Sequence, residues 1–325
     1  MARSMFLTIL IALIAFGSRA GQTHHSEASS STAPQIESEE VKFYAGARPY
    51  LSDSIGELRK HIPELDGAKS TTTQDPLPGA LLKTGAQLDE LLQKLPDLVA
   101  EETVSTSRWL DFREAVPTCV GMSGCVDSVP TSQKTERFDY FMLPHRLQNG
   151  VRRLDEYRTA IGQPFDKQDQ PYFQGFASFW SVFSSLRRKE SEFRYIGQQK
   201  MDGHSTFVVG FAQIPGAVKY SPTIVTRMGS VPMLLQGLAW IDEKSFRIVR
   251  LRADLLSPQP EIGYESQAST IRFGQARIPA LALDLWLPKN VSVETIVQGQ
   301  LWREQHAYSK FRLYEAKSKI LLSPQ

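Results

Sequence analysis

The sequence predicts an α+β fold: a long antiparallel meander forming a curved sheet, covered by a few helices. Three observations carry this expectation. Apolar residues recur at helical spacing before about residue 100 and again in one later aromatic stretch. From about Thr103 onward the dominant period is two, the signature of half-buried strands. Short turns such as Asn149-Gly150, Asp202-Gly203 and Glu243-Lys244-Ser245 join the strand-like runs, and the β-α-β alternation of a parallel sheet is missing.

The chain of 325 residues opens with Arg3, an apolar run over residues 5–16 and the small-residue stretch Gly17-Ser18-Arg19-Ala20. This is the layout of a secretory signal peptide over residues 1–20, cut after Ala20. The run is too short to span a bilayer, which takes roughly 20 residues. The mature chain is therefore expected to be exported, to the periplasm or beyond, without an integral membrane segment. Residues 21–50 begin with a stretch rich in Ser, Thr and Glu and are expected to form a disordered tether, because few apolar groups are present to offset the entropy of ordering.

Residues 51–100 read as a helical segment. Ser52 or Asp53 can cap a short helix through Ile55 and Leu58 that ends before Pro63. A stronger helix follows Asp75 and Pro76. Leu81, Leu82, Leu88, Leu91, Leu92 and Leu95 recur at helical spacing, with Lys83, Gln87, Asp89, Glu90 and Lys94 largely on the other side, and Pro96 ends it. Such an amphipathic helix must lie on an apolar surface.

Residues 101–325 carry the strands. The Asn149-Gly150 turn extrapolates to a pairing of Met142 with Tyr157, and the Asp202-Gly203 turn to pairings of Tyr195 with Gly210 and Gly197 with Val208. Between these hairpins a helix is expected over residues 175–188, with Phe176, Phe179, Trp180 and Phe183 on one stripe. Further strands are expected near residues 236–242, 246–256, 266–275, 291–298 and 301–315.

A net charge of +2 excludes the strong basic excess of a nucleic-acid binder. The two cysteines, Cys119 and Cys125, lie close together and in an exported chain suggest a local disulfide. The sequence carries neither a G-x-S-x-G elbow nor an H-E-x-x-H motif, and no Gly-rich phosphate loop, so neither an enzyme nor a cofactor is expected. Asp139, Asp155 and Glu156, flanked by Arg152, Arg153 and Arg158, read as a charged solvent face with cross-strand pairs. His145, His204 and His306 fall on separate strands or turns, and no metal site is expected.

The two helices can seal the apolar face of the sheet or leave a gap over it. A gap lined by Tyr140, Met142, Tyr157, Tyr195 and Trp240, with Phe179 and Trp180 from the aromatic stretch, would accept an acyl chain. The alternative is that these side chains meet the helices as solid core.

The order of elements, and the segments FRYIGQQKMDGHSTFVVGFAQ and GLAWIDEKSFRIVRLRADL, resemble the outer-membrane lipoprotein carrier superfamily (LolA/LolB/LppX-like), in particular its uncharacterised exported bacterial branch. That resemblance implies a half-barrel of antiparallel strands with helices as a lid over an apolar cavity. It implies a lipid or lipidated protein as partner and a monomeric carrier without catalytic residues. The second reading is a non-enzymatic interaction or sensor domain of the cell envelope with a filled core, in which Arg250, Arg252 and Asp254 would meet another protein.

Overall fold

The computed structural model describes residues 39–115, 118–119, 125–126, 129–146, 152–163, 175–219, 223–226, 229–260 and 263–314. The expected signal peptide, most of the tether and the Asn149-Gly150 turn lie outside them. Three α-helices are described: α1 (Glu39–Phe43), α2 (Ile55–His61) and α3 (Pro76–Lys94). Strand β1 (Lys69–Ser70) lies between the last two. The strands that follow are β2 (Leu98–Trp109), β3 (Thr118–Cys119), β4 (Cys125–Val126), β5 (Ser132–Arg146), β6 (Arg152–Ala160), β7 (Ser191–Met201) and β8 (His204–Gln213). Then come β9 (Thr223–Thr226), β10 (Gly229–Pro232), β11 (Leu235–Asp242), β12 (Ile248–Leu255), β13 (Tyr264–Ile278), β14 (Leu283–Val297) and β15 (Gln300–Leu313).

Among the described residues 11 strands form one open antiparallel sheet in the order β1-β7-β8-β11-β12-β13-β14-β15-β2-β5-β6. This is the expected meander, curved and covered by helices. Its inner face lies under α3 and a 3₁₀ helix at Ala177–Phe183. Leu88, Leu95, Trp180 and Phe183 from these covers meet Tyr140, Met142, Tyr195, Val209, Leu251, Phe273, Leu285 and Tyr308 from the sheet. Helix α3 forms where the leucine periodicity places it, with Pro76 in its first turn, and Ala80, Thr84, Gly85 and Leu88 are buried.

The aromatic stretch is a 3₁₀ helix and not the α-helix expected over residues 175–188. Aromatic, β-branched and Ser residues are middling helix formers, and a 3₁₀ turn eclipses positions three apart. That geometry drives Phe176 and Phe179, and Trp180 and Phe183, inward as pairs, and all four are buried.

A second layer covers the outer face at the β7–β12 side. Residues 39–50, assigned to the tether from composition, include α1 and bury Tyr44. Leu58 of α2 with Ile62, Leu65 and Ala68 then packs on Ile196, Val208, Leu238, Trp240 and Val249. This strap is bolted on by polar contacts. Arg252 pairs with Glu64 at 3.0 Å and with Asp254 at 3.0 Å, and the Tyr50 hydroxyl donates to Asp254 at 2.8 Å. Arg194 donates to the carbonyls of Leu51 and Asp53, both at 2.6 Å. The chain then turns round the sheet edge, where β1 pairs with β7, and enters α3 on the inner face.

Register explains two departures from expectation. Gly197 does face Val208, but a bulge between Tyr195 and Gly197 shifts Tyr195 onto Val209 and Arg194 onto Gly210. The room at Gly210 is taken by Leu51 of the strap, whose Cδ2 lies 2.6 Å from where a Cβ would stand. On the β5–β6 pair the register is one residue off the extrapolated one, with Met142 opposite Glu156 and Phe141 opposite Tyr157. A one-residue slip exchanges faces, so Tyr157 packs with Val99 and Phe141 on the outer side, away from Met142.

Candidate functional site

Beneath α3 the inner layer is not completely filled. A cavity of about 180 Å³ lies between the C-terminal half of α3, Trp180 and the ends of β12 and β14. Leu88, Leu91, Trp180, Phe246, Ile248, Leu283, Leu285 and Trp286 give it apolar walls, and Gln87, Glu90, Lys94, Arg247 and Asp284 stand at its rim. An engineered cavity of roughly 150 Å³ with aliphatic and aromatic walls stays dry and binds benzene, so this space suits a short apolar segment. It is smaller than the roughly 300–1,000 Å³ of a pocket that encloses a whole drug-sized ligand.

Local structure holds the mouth in shape. Asp242 closes β11 and accepts hydrogen bonds from the amides of Lys244 and Ser245 and from the Ser245 hydroxyl. Burial alone would raise its pKa, but the Ser245 donors and His204 outweigh this and hold it down to about 2. The turn delivers Phe246 in the left-handed region, φ 56°, an unusual conformation for a bulky residue and one that the surrounding structure must enforce. Lys83 of α3 stands 4.5 Å from the centre of the Phe246 ring. Arg152 draws down the C-terminus of α3, donating to the carbonyls of Leu92 at 3.0 Å and Gln93 at 2.8 Å.

The seven residues expected to line a gap divide three ways. Trp180 lines the cavity. Tyr140, Met142, Phe179 and Tyr195 belong to the same inner core but are packed as solid core beside it. Tyr157 and Trp240 lie on the outer face, Trp240 under the strap with its Nε1 donating to Gln199 at 2.8 Å. Every residue of β11 is buried, because both faces of that strand are covered. Alternation therefore left open which face Trp240 joins. The cavity residues not singled out from sequence are Phe246, Ile248, Leu283, Leu285 and Trp286. The alternation of Leu283, Leu285 and Leu287 was a readable signal.

The acids read as a solvent face are buried. Asp155 is 1% exposed and pairs with Arg153 and His145, each at 2.8 Å. Glu156, also 1% exposed, accepts from the Tyr140 hydroxyl and from the Ala177 amide at 3.0 Å, which fixes the start of the 3₁₀ helix. Asp139 accepts from Arg312 at 3.0 Å and from the Gly162 amide at 3.1 Å. Deeper in the same region Glu102, wholly buried, accepts from Arg158 through both carboxylate oxygens and pairs with His306 Nδ1 at 2.9 Å. Burial would raise the Glu102 pKa, but His306 and Arg158 outweigh it and hold the carboxyl below its usual range. Burial would lower His306, yet the hydrogen bond to Glu102 and the Glu304 carboxylate 3.4 Å away raise it above the ordinary imidazole value.

The three histidines do not converge. His145, His204 and His306 pair with Asp155, Asp242 and Glu102 on three separate parts of the sheet. Among the described residues no group of three or more His, Cys, Asp or Glu is placed to hold a metal ion. No described helix is long and apolar enough to cross a membrane. Backbone pairing sets Cys119 opposite Cys125 on β3 and β4, while their side chains lie outside the described set.

No family model matches the chain, and no curated protein does. Among solved structures it is similar to a putative outer membrane lipoprotein-sorting protein domain from Vibrio parahaemolyticus, at 9% identity and a TM-score of 0.38, over 74% of this chain and 95% of that one. It is also similar to a DUF1329 family protein from Desulfovibrio piger, at 12% identity and a TM-score of 0.39, over 75% of this chain and 95% of that one. At these values the likeness assigns neither a ligand nor a role.

Proposed function

We propose that this chain is an exported, soluble binding protein that holds an acyl chain, free or on a lipidated partner, between α3 and the sheet. The observation that carries the reading is the cavity of about 180 Å³ between α3 and the sheet, with apolar walls and a polar rim. Binding requires no covalent step: each CH₂ group buried is worth roughly 0.8 kcal/mol. The space accepts the end of a chain as it stands, and a longer chain requires α3 to rise. Helix α3 suits that movement, since Leu77, Leu81, Leu91 and Leu92 on its inner side are only partly buried. We place the protein in the periplasm as a monomer, in keeping with the leader-like first twenty residues.

The interaction-domain reading draws less support. Arg250, Arg252 and Asp254, the charges it would use, are engaged within the chain by Asp202, Glu64 and Tyr50.

The test is binding of a fluorescent fatty-acid probe to the mature chain and to a Leu91→Trp variant. Leu91 lines the cavity from a partly buried helix position, so a larger ring fills the space while the fold survives. Saturable binding that is lost in the variant, with an unchanged urea midpoint, supports the proposal. Equal binding by both proteins contradicts it.

A further inference from the structure

The 3₁₀ helix that brings Trp180 to the cavity wall starts on a buried polar cluster. The Ala177 amide donates to Glu156 at 3.0 Å, and the Phe176 ring meets the His306 imidazole with ring centres 4.9 Å apart and planes at 60°. One turn further on, Trp180 stacks on Phe273 and lines the cavity. His306 is buried, and each of its ring nitrogens faces a carboxylate. Nδ1 lies 2.9 Å from Glu102 of β2, and Nε2 lies 3.4 Å from Glu304 of its own strand. A neutral imidazole donates through one nitrogen only, whereas the imidazolium donates through both. These surroundings therefore fit the charged ring. The other titratable groups of the cluster are Tyr308 of β15, Tyr140 of β5 and Arg158 and Glu156 of β6. Arg158 opposes a charge on His306 but donates to both oxygens of Glu102. The strand neighbours of His306 in register, Val104 of β2 and Val291 of β14, are uncharged.

Building on the acyl-binding reading above, we propose that His306 is a pH-sensitive latch on this helix: the charged ring holds Phe176 to the sheet and keeps Trp180 in the cavity wall, and loss of the proton loosens the helix and speeds release of the acyl chain. A cation within about 6 Å of an aromatic ring is attracted to it. Deprotonation removes that attraction and turns a nitrogen lone pair toward one of the two carboxylates. The Glu102 and Glu304 carboxylates raise the His306 pKa above the ordinary imidazole value. The latch is therefore set in mild acid and released as pH rises through the folded value. His306 and Phe176 are positioning residues in this assignment; neither lines the cavity.

The experiment has two readouts, each taken at pH 5.5 and pH 8.5 on wild type, His306→Gln and Phe176→Leu. The first is the dissociation rate of a fluorescent fatty-acid methyl ester, which does not titrate. The second is the hydrogen-exchange protection of the 177–183 amides in the empty protein, corrected for intrinsic exchange. In wild type the ester is expected to leave about fivefold faster at pH 8.5, and protection of 177–183 to fall by a similar factor. Both differences should vanish in both variants. Phe176→Leu keeps His306 and its carboxylates, so its urea stability should still decline with rising pH as in wild type. That variant decides the matter if His306→Gln does not fold. Wild-type release and protection that are the same at both pH values, or a difference that persists in Phe176→Leu, overturn the latch while leaving the acyl pocket in place. Failure of the ester to bind at either pH overturns the acyl reading, and the protection of 177–183 then tests the latch by itself.

Discussion

Replacing Arg158 by Met should strand a carboxylate in the protein interior. Glu102 is fully buried and takes two hydrogen bonds from the Arg158 guanidinium, so the variant keeps the acid and removes its main counter-charge. Breaking a buried pair by removing one partner costs roughly 3–5 kcal/mol, a large share of the roughly 5–15 kcal/mol that stabilises a typical domain. Met retains most of the apolar stem and gives up the guanidinium that sits 5.5 Å over the Phe138 ring. The loss is therefore electrostatic rather than a packing defect.

His306, 2.9 Å from the same carboxylate, decides where in that range the cost falls. Its pKa is raised in the folded state, so its contribution is complete below the unfolded value near 6.5 and fades as pH rises through the folded value. Glu102 is held low, so its contribution is present above about 4.3 and fades as pH falls through its folded value. Urea unfolding at about pH 5.5, where both are charged, should show a cost near 3 kcal/mol. As pH rises through the folded His306 value and its charge is lost, the cost should grow toward the upper end of that range. A cost below about 1 kcal/mol, or one that does not change with pH, would show that Arg158 is not the counter-charge on which buried Glu102 depends.

Gly237→Ala should cost about 3 kcal/mol in urea unfolding, since a Cβ there would stand 1.9 Å from the Arg252 carbonyl oxygen and 2.6 Å from the Phe211 ring. Leu65→Ala, at a fully buried strap position, should cost roughly 2–5 kcal/mol, whereas Leu82→Ala, 64% exposed, should stay within about 0.5 kcal/mol. If the strap were loosely attached, the two would be alike. Cys119 and Cys125, backbone partners on β3 and β4, should resist thiol labelling in the exported protein, and replacing both by Ser should cost on the order of 2 kcal/mol. Rapid labelling of both would show them reduced.

What could be read in advance followed from local rules. Helix α3 has leucines at helical spacing, Pro76 in its first turn and Pro96 beyond its end. The Asp202-Gly203 hairpin keeps its extrapolated register as far as Gly197. The failures came where tertiary contacts decide. Trp240 and Tyr157 carry the right chemistry for the inner face but were displaced to the outer one, the first because a strap covers that side of β11, the second by a one-residue slip in register. One aromatic ring does cover a cross-strand glycine, Phe211 on Gly237, whereas the bulge moves Tyr195 off Gly210 and onto Val209. Asp155 and Glu156 looked solvated because charge alone does not reveal a partner such as His145 or the Ala177 amide. The cavity depends on Phe246 and Trp286, residues of separate hairpins that meet only in the folded chain.

Mass spectrometry of the exported mature chain, purified without detergent and extracted for lipid, reads the acyl load of the cavity itself. About one acyl-bearing molecule per chain is expected, and far less in Leu91→Trp. A stably folded protein that carries no lipid, and takes none up when supplied with fatty acid, would contradict acyl binding.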